Sequence, residues 1–100
     1  MRQQDRLLES TELATALVAL SAWEHQAGWL VRTWKTDGWR SSMLIVNAIS
    51  FLAEAAEHHP DVELHWGSVV VRLQTHSAGG ITSKDIDLAT SIEQLISLQR

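Results

Sequence analysis

The sequence predicts an α+β fold, a four-stranded antiparallel sheet with helices on one face, in the order helix, two strands, helix, two strands, helix. Three observations carry this. Two pairs of short runs rich in Trp, Val and Thr are each joined by only a few residues, which suits hairpins and leaves no room for a parallel crossover. Longer stretches with helical apolar periodicity lie before, between and after the pairs. Each of those stretches carries an apolar stripe that a sheet can cover. With 100 residues the chain forms one domain, 1–100, whose core buries roughly 65% of the unfolded surface.

The first helix follows Ser10-Thr11-Glu12, which offer capping groups, and its stripe is Leu13, Leu17 and Leu20 with Ala14 and Val18. From Trp23 to Lys35 the pattern changes to two short strands turning near Gly28, with Trp23, Trp29 and Trp34 as core and interface fillers. Thr36 or Asp37 can cap the second helix, which runs from about Trp39 to Glu57. Apolar residues occupy roughly two-thirds of its circumference, where one sheet needs only a stripe of about 100°. A second surface must cover the remainder, and a symmetry-related helix predicts a homodimer or homotetramer with Ile49 in the contact. The polar residues Asn47, Ser50 and Glu54 form a narrow arc that leads to His58.

In the second strand pair, Gly67-Ser68 reads as a two-residue turn between Val62–Trp66 and Val69–Thr75. With Trp66 facing Val69, Glu63 meets Arg72 and Leu64 meets Val71. The same register carried past Pro60 sets His59 opposite His76, so two imidazoles share one face at the open end of the hairpin. Ser77-Ala78-Gly79-Gly80 is then a flexible connection, Thr82 an N-cap and Asp85 an acidic residue three positions later. Leu88, Ala89, Ile92, Leu95 and Ile96 form the stripe of the last helix.

Chemistry concentrates in Glu54-x3-His58-His59-Pro60-x5-Trp66-x9-His76-x8-Asp85. Glu54, one helical turn before His58, can orient that imidazole or remain a solvated carboxylate. Asp85 is accounted for by helix-start chemistry in any protein. This pattern, with Thr75–Thr82 and Asp85–Ala89 around it, resembles the active-site signature of the pterin-4a-carbinolamine dehydratases; with the more degenerate region from Trp23 onward, the resemblance covers roughly three-quarters of the chain. It departs from the family at Trp34 and Trp39, near places that tend to carry Phe, and at Val62, where an aromatic is frequent.

The resemblance implies the same α+β fold and dehydration of 4a-hydroxytetrahydropterin to quinonoid dihydropterin, which supports tetrahydropterin recycling. It implies His58, His59, His76 and Asp85 as the catalytic set, with His58 and His76 in acid–base work and His59 mainly in substrate placement. Substrate contacts fall to Glu54, the backbone of Glu57 to His59 and of Gln74, Thr75, His76 and Ser77, and Trp66 as a wall. Imidazoles titrate near neutral pH, so the reaction needs no metal and no cofactor, the pterin being the substrate. A three-histidine metal site is disfavoured because His58 and His59 are adjacent, no His-x3-His pair is present and a Pro follows at once. His25 and His65 are surface residues.

The family also contains interaction proteins, a transcription-factor dimerisation partner and assembly factors of a carboxylating enzyme, so a protein partner for the wide apolar helix is the alternative reading. The intact histidine set favours the enzyme. A formal charge of -4 gives no basic surplus for direct nucleic-acid binding. The absence of cysteine suits a reducing cytoplasm. Met1–Arg6 leads into no sustained apolar run, so neither a signal peptide nor a membrane span is expected.

Overall fold

The expected alternation is present: α1 (Ser10–Ala19), β1 (Glu24–Gln26), β2 (Trp29–Lys35), α2 (Trp39–Ala56), β3 (Asp61–His65), β4 (Ser68–Leu73) and α3 (Ser83–Gln99). The structure, a computed structural model, describes residues 6–99, with side chains to residue 97. The expectation drawn from Met1–Asp5 therefore lies outside the described residues. Among those described, no helix is long and apolar enough to cross a membrane.

The strands form one antiparallel sheet in the order β1-β2-β4-β3. Two local hairpins meet through β2 and β4, and α2 carries the chain across β4 to the far edge. Leu30 and Trp34 of β2 with Val69, Val71 and Leu73 of β4 face one way and pack in a single core with Ile49, Ala53, Leu88, Ala89, Ile92 and Ile96. Each of these large side chains gains about 1.5–3 kcal/mol from full burial. The opposite face buries Val31 but leaves Thr33, Lys35, Glu63 and His65 exposed. Arg32 lies on the covered face, where its Nε donates to Glu93 Oε1 at 2.6 Å and its guanidinium stacks on the Trp34 ring at 4.5 Å. Trp23 Nε1 donates to the same Glu93 oxygen at 2.8 Å, so one carboxylate fastens α3 to the sheet. Trp23 and Trp34 are the core fillers expected, 6.1 Å apart edge to face.

The first hairpin turns on Ala27-Gly28, both at positive φ (51° and 86°), as a tight turn between right-twisted strands demands. The second turns on Trp66-Gly67, one residue earlier than expected. His65 faces Ser68, Leu64 faces Val69 and Glu63 faces Val70. Partners move by two positions, so every side chain keeps its expected face, and Glu63 still forms its ion pair with Arg72 along the diagonal. Docking explains the shift: Thr36 N–H donates to Gly67 O at 3.0 Å and Ser42 Oγ donates to Trp66 O at 3.1 Å, which holds both turn residues out of the ladder. The ladder ends at Asp61 and Arg72, so His59 and His76 are not ladder partners.

Three smaller expectations are also corrected. Gly38, not Thr36 or Asp37, precedes α2, and Asp37 Oδ1 instead accepts a hydrogen bond from Ser41 Oγ at 2.5 Å. Helix α1 is anchored by Leu13, Leu17 and Leu20, whereas Ala14 and Val18 face solvent. Ile49 is fully buried in the monomer core, and the second apolar face of α2 is carried by Leu44 and Phe51, 57% and 72% exposed and seven residues apart.

Candidate active site

The end of α2 sets the first part of the site. Glu57 adopts the left-handed conformation (φ 52°, ψ 40°), His58 N–H donates to Ala53 O at 3.1 Å, and Glu57 N–H donates to Glu54 O at 3.2 Å. This helix-ending turn usually takes glycine, and a side chain there costs on the order of 1 kcal/mol. It reverses the chain at once. His58 folds back to the start of α3, where its Nε2 lies 2.6 Å from Asp85 Oδ1, and the two side chains are 13% and 0% exposed.

Asp85 belongs to the first turn of α3 and is satisfied on both oxygens. Its Oδ2 accepts hydrogen bonds from Thr82 N–H at 2.9 Å and Thr75 Oγ1 at 2.8 Å. The hydroxyls of Thr75 and Thr82 lie 2.7 Å apart, and Lys84 N–H donates to Thr82 Oγ1 at 3.2 Å. Thr82 and Asp85 thus form the helix start expected of them, with one correction of emphasis: the carboxylate that caps the helix also holds His58. Thr75 is brought there by the loop after β4, which closes through Thr75 N–H donating to Gly80 O at 2.9 Å and turns at Gly79 (φ 73°).

Glu54 has a different partner from the one expected. Its Oε1 lies 2.7 Å from Nε2 of His59, and the pair is exposed, at 82% and 63%. The αL turn rotates His58 away from its own helix, which breaks the one-turn spacing that would have paired it with Glu54. His76 is exposed in the loop after β4, with its ring 5.9 Å from that of Trp29 and inclined at 78°. Gln74 turns its amide to the first hairpin, donating to Gly28 O at 3.0 Å, while Ser77 and Glu57 are exposed beside their histidines.

His58, Asp85 and Thr75 are therefore joined directly. His59 and His76 are the chain neighbours of His58 and Thr75, about 3.8 Å along the backbone. Trp66 is not brought in. It sits at the opposite end of β3, roughly 16 Å away by strand length, with its ring over Gly38. Thr82 and Trp29 are the two additions. The Thr82-x2-Asp85 cap was the signal for the first, while the second depends on a strand end meeting a loop, which has no local signature.

His58 also lines a cavity of about 420 Å³ between α2 and α3, with Leu52, Ala56 and Leu88 on the apolar side and Asp87 and Ser91 on the polar side. His59 and His76 do not line it. A larger cavity, about 660 Å³, lies beside Trp23 and Glu93 with no histidine in its lining, and its carboxylate is already engaged by Arg32 and Trp23. Among the described residues, no three of the His, Cys, Asp and Glu side chains are grouped to hold a metal ion.

Residues 6–95 match the family described as pterin 4 alpha carbinolamine dehydratase. A relative from Aquifex aeolicus, named among the pterin-4-alpha-carbinolamine dehydratases, is 43% identical over 91 residues, covering 91% of this chain and 92% of its own. One of the same name from Roseiflexus castenholzii is 40% identical over 90 residues, covering 90% and 97%. The crystal structure of a transcriptional coactivator/pterin dehydratase from Brucella melitensis superposes with a TM-score of 0.82 at 28% identity, over 87% of this chain and 95% of that one. A pterin dehydratase-like RuBisCO assembly factor of the alpha-carboxysome shares the fold, with a TM-score of 0.60 at 14% identity over 73% and 84%.

Proposed function

Because the chain belongs to the pterin 4 alpha carbinolamine dehydratase family, we propose that it removes water from 4a-hydroxytetrahydropterin to give quinonoid dihydropterin. The observation that carries this reading is the buried His58–Asp85 contact: a carboxylate already engaged on Oδ2 as the cap of α3 also fixes, through Oδ1, an imidazole whose chain neighbour is His59. Asp85 occupies Nε2 of His58 and leaves Nδ1 to face substrate. In the reaction the C4a–O bond breaks, the departing hydroxyl takes a proton and leaves as water, N5 loses its proton, and the C4a=N5 double bond forms.

His58 is the base for the N5 proton. A histidine backed by a buried carboxylate is held in one tautomer, and its imidazolium is stabilised as it forms. His76, exposed and able to be reprotonated from solvent, is the acid at the C4a hydroxyl. Trp29, against its ring, limits where that imidazole can lie. His59, held by Glu54, places the substrate. The residues supply both proton transfers, so the reading requires no cofactor, and it places the protein in the cytoplasm in tetrahydropterin recycling.

The decisive test follows freshly generated 4a-hydroxytetrahydropterin by absorbance with wild type, His58→Ala and His76→Ala. Acceleration by wild type that falls about 10²–10⁴-fold in each variant is expected. No acceleration by folded wild type overturns the reading.

A protein-interaction role is the second reading, favoured by the exposed Leu44 and Phe51 stripe. We assign that stripe to contact between copies of this chain, a homodimer or homotetramer, which leaves catalysis intact. Phe51→Glu should lower the mass seen by light scattering, and an unchanged mass removes this assignment.

A further inference from the structure

We propose that Thr75 is a positioning residue for this chemistry: its side chain turns from the substrate to Asp85 and, braced by Thr82, keeps His58 in the Nε2–H form with Nδ1 presented to substrate. For its kinetic consequence the proposal rests on the dehydratase reading. The sequence motif places Thr75 at the pocket through its backbone, but its hydroxyl is committed elsewhere, and the residue is 4% exposed.

The hydrogen-bond directions follow from counting protons. A carboxylate only accepts, so the single hydroxyl proton of Thr75, 2.8 Å from Oδ2, is donated to Asp85. The 2.7 Å contact between the two hydroxyls must then be donated by Thr82. Thr82 Oγ1 in turn accepts from Lys84 N–H, and Thr82 N–H donates to Oδ2. Every donor in the chain, starting from the backbone at the head of α3, points at Asp85. The remaining contact, 2.6 Å from Oδ1 to His58 Nε2, is left for an N–H on that nitrogen.

Neither threonine is exposed, so water cannot replace a lost hydroxyl. Without the Thr75 proton, Oδ2 keeps one donor, so the Asp85 carboxylate is free to turn away from Nε2. With that acceptor displaced, the single imidazole proton distributes between Nε2 and Nδ1, the atom the reaction needs free.

The test pairs two readouts on Thr75→Val, which keeps the shape and removes the hydroxyl, and Thr75→Ser, which restores it. Long-range ¹H–¹⁵N spectra of the imidazoles, recorded without substrate above the pH of imidazole titration, should show wild-type His58 protonated on Nε2 alone. Thr75→Val should give a mixture of tautomers and Thr75→Ser should return the wild-type pattern. Kinetically, Thr75→Val should lower kcat about tenfold or more at nearly constant KM, the signature of a misplaced base and not of a lost substrate contact. Thr82→Val should move both readouts the same way by less.

A folded Thr75→Val that keeps the single tautomer overturns the proposal, as does a Thr75→Ser as impaired as the Val variant. Wild-type His58 protonated on Nδ1 overturns it without any variant. An inactive wild type with the expected spectra defeats the dehydratase reading alone.

Discussion

Two histidine–carboxylate pairs sit one residue apart in this molecule and differ in almost everything except length. His58–Asp85 and His59–Glu54 have contacts of 2.6 and 2.7 Å. The carboxylate of the first is closed off from water and accepts three hydrogen bonds; both partners of the second are mostly exposed. Distance therefore says little about what such a pair does. In the dry site the carboxylate cannot be rehydrated, so it constrains the imidazole, whereas in the wet site solvent and salt compete with every contact.

The largest expected effect comes from breaking the buried pair. Asp85→Ala leaves His58, Thr75 and Thr82 with donors and no acceptor, and should cost about 3–5 kcal/mol in denaturant unfolding, a large share of a typical domain's stability. A loss below about 1 kcal/mol would show that the network is hydrated.

Relieving the turn between the two pairs is next. Glu57→Gly removes a side chain from the left-handed conformation and should stabilise the protein by about 0.5–1 kcal/mol, visible as a melting temperature several degrees higher. An unchanged or lower value would mean that Glu57 makes a compensating contact.

Glu54→Ala should change stability by less than about 1 kcal/mol, and on the proposed role of His59 in substrate placement its kinetic effect should appear in KM. Raising salt from 0.1 to 1 M shortens the screening length from about 10 to about 3 Å and should erase the stability difference. Persistence at high salt would place this pair with the buried one.

The smallest effect concerns a third carboxylate, which separates a shifted titration from a buried one. The side-chain hydrogen bonds from Arg6, then the backbone N–H of Glu9, lower the Glu12 carboxyl from its ordinary 4.5 to about 2, although the side chain is 41% exposed. Its contribution to holding the start of α1 is thus present above pH 4.5 and is lost as pH falls through about 2. An NMR titration of Glu12 with a midpoint near 4.5 would show that the pair does not persist in solution.

Much of this was legible in the chain. The strand pairs, the helix stripes and the Thr82-x2-Asp85 helix start are local patterns, fixed by side-chain periodicity and by backbone groups needing partners within a few residues. Turn position was less so. Trp66-Gly67 and Gly67-Ser68 both satisfy local turn chemistry, and docking against Thr36 and Ser42 selects between them.

The amino-acid sequence by itself determined the fold class, the family and the three histidines, because apolar periodicity and motif spacing are written along one dimension. Only the tertiary structure decided which carboxylate each histidine meets. A single left-handed residue, Glu57, turns His58 from Glu54 to a carboxylate 27 positions away and leaves His59 to the nearer one. Tertiary packing also decided which of the two pairs is dry, since burial depends on how α2, α3 and the loop after β4 close around Asp85.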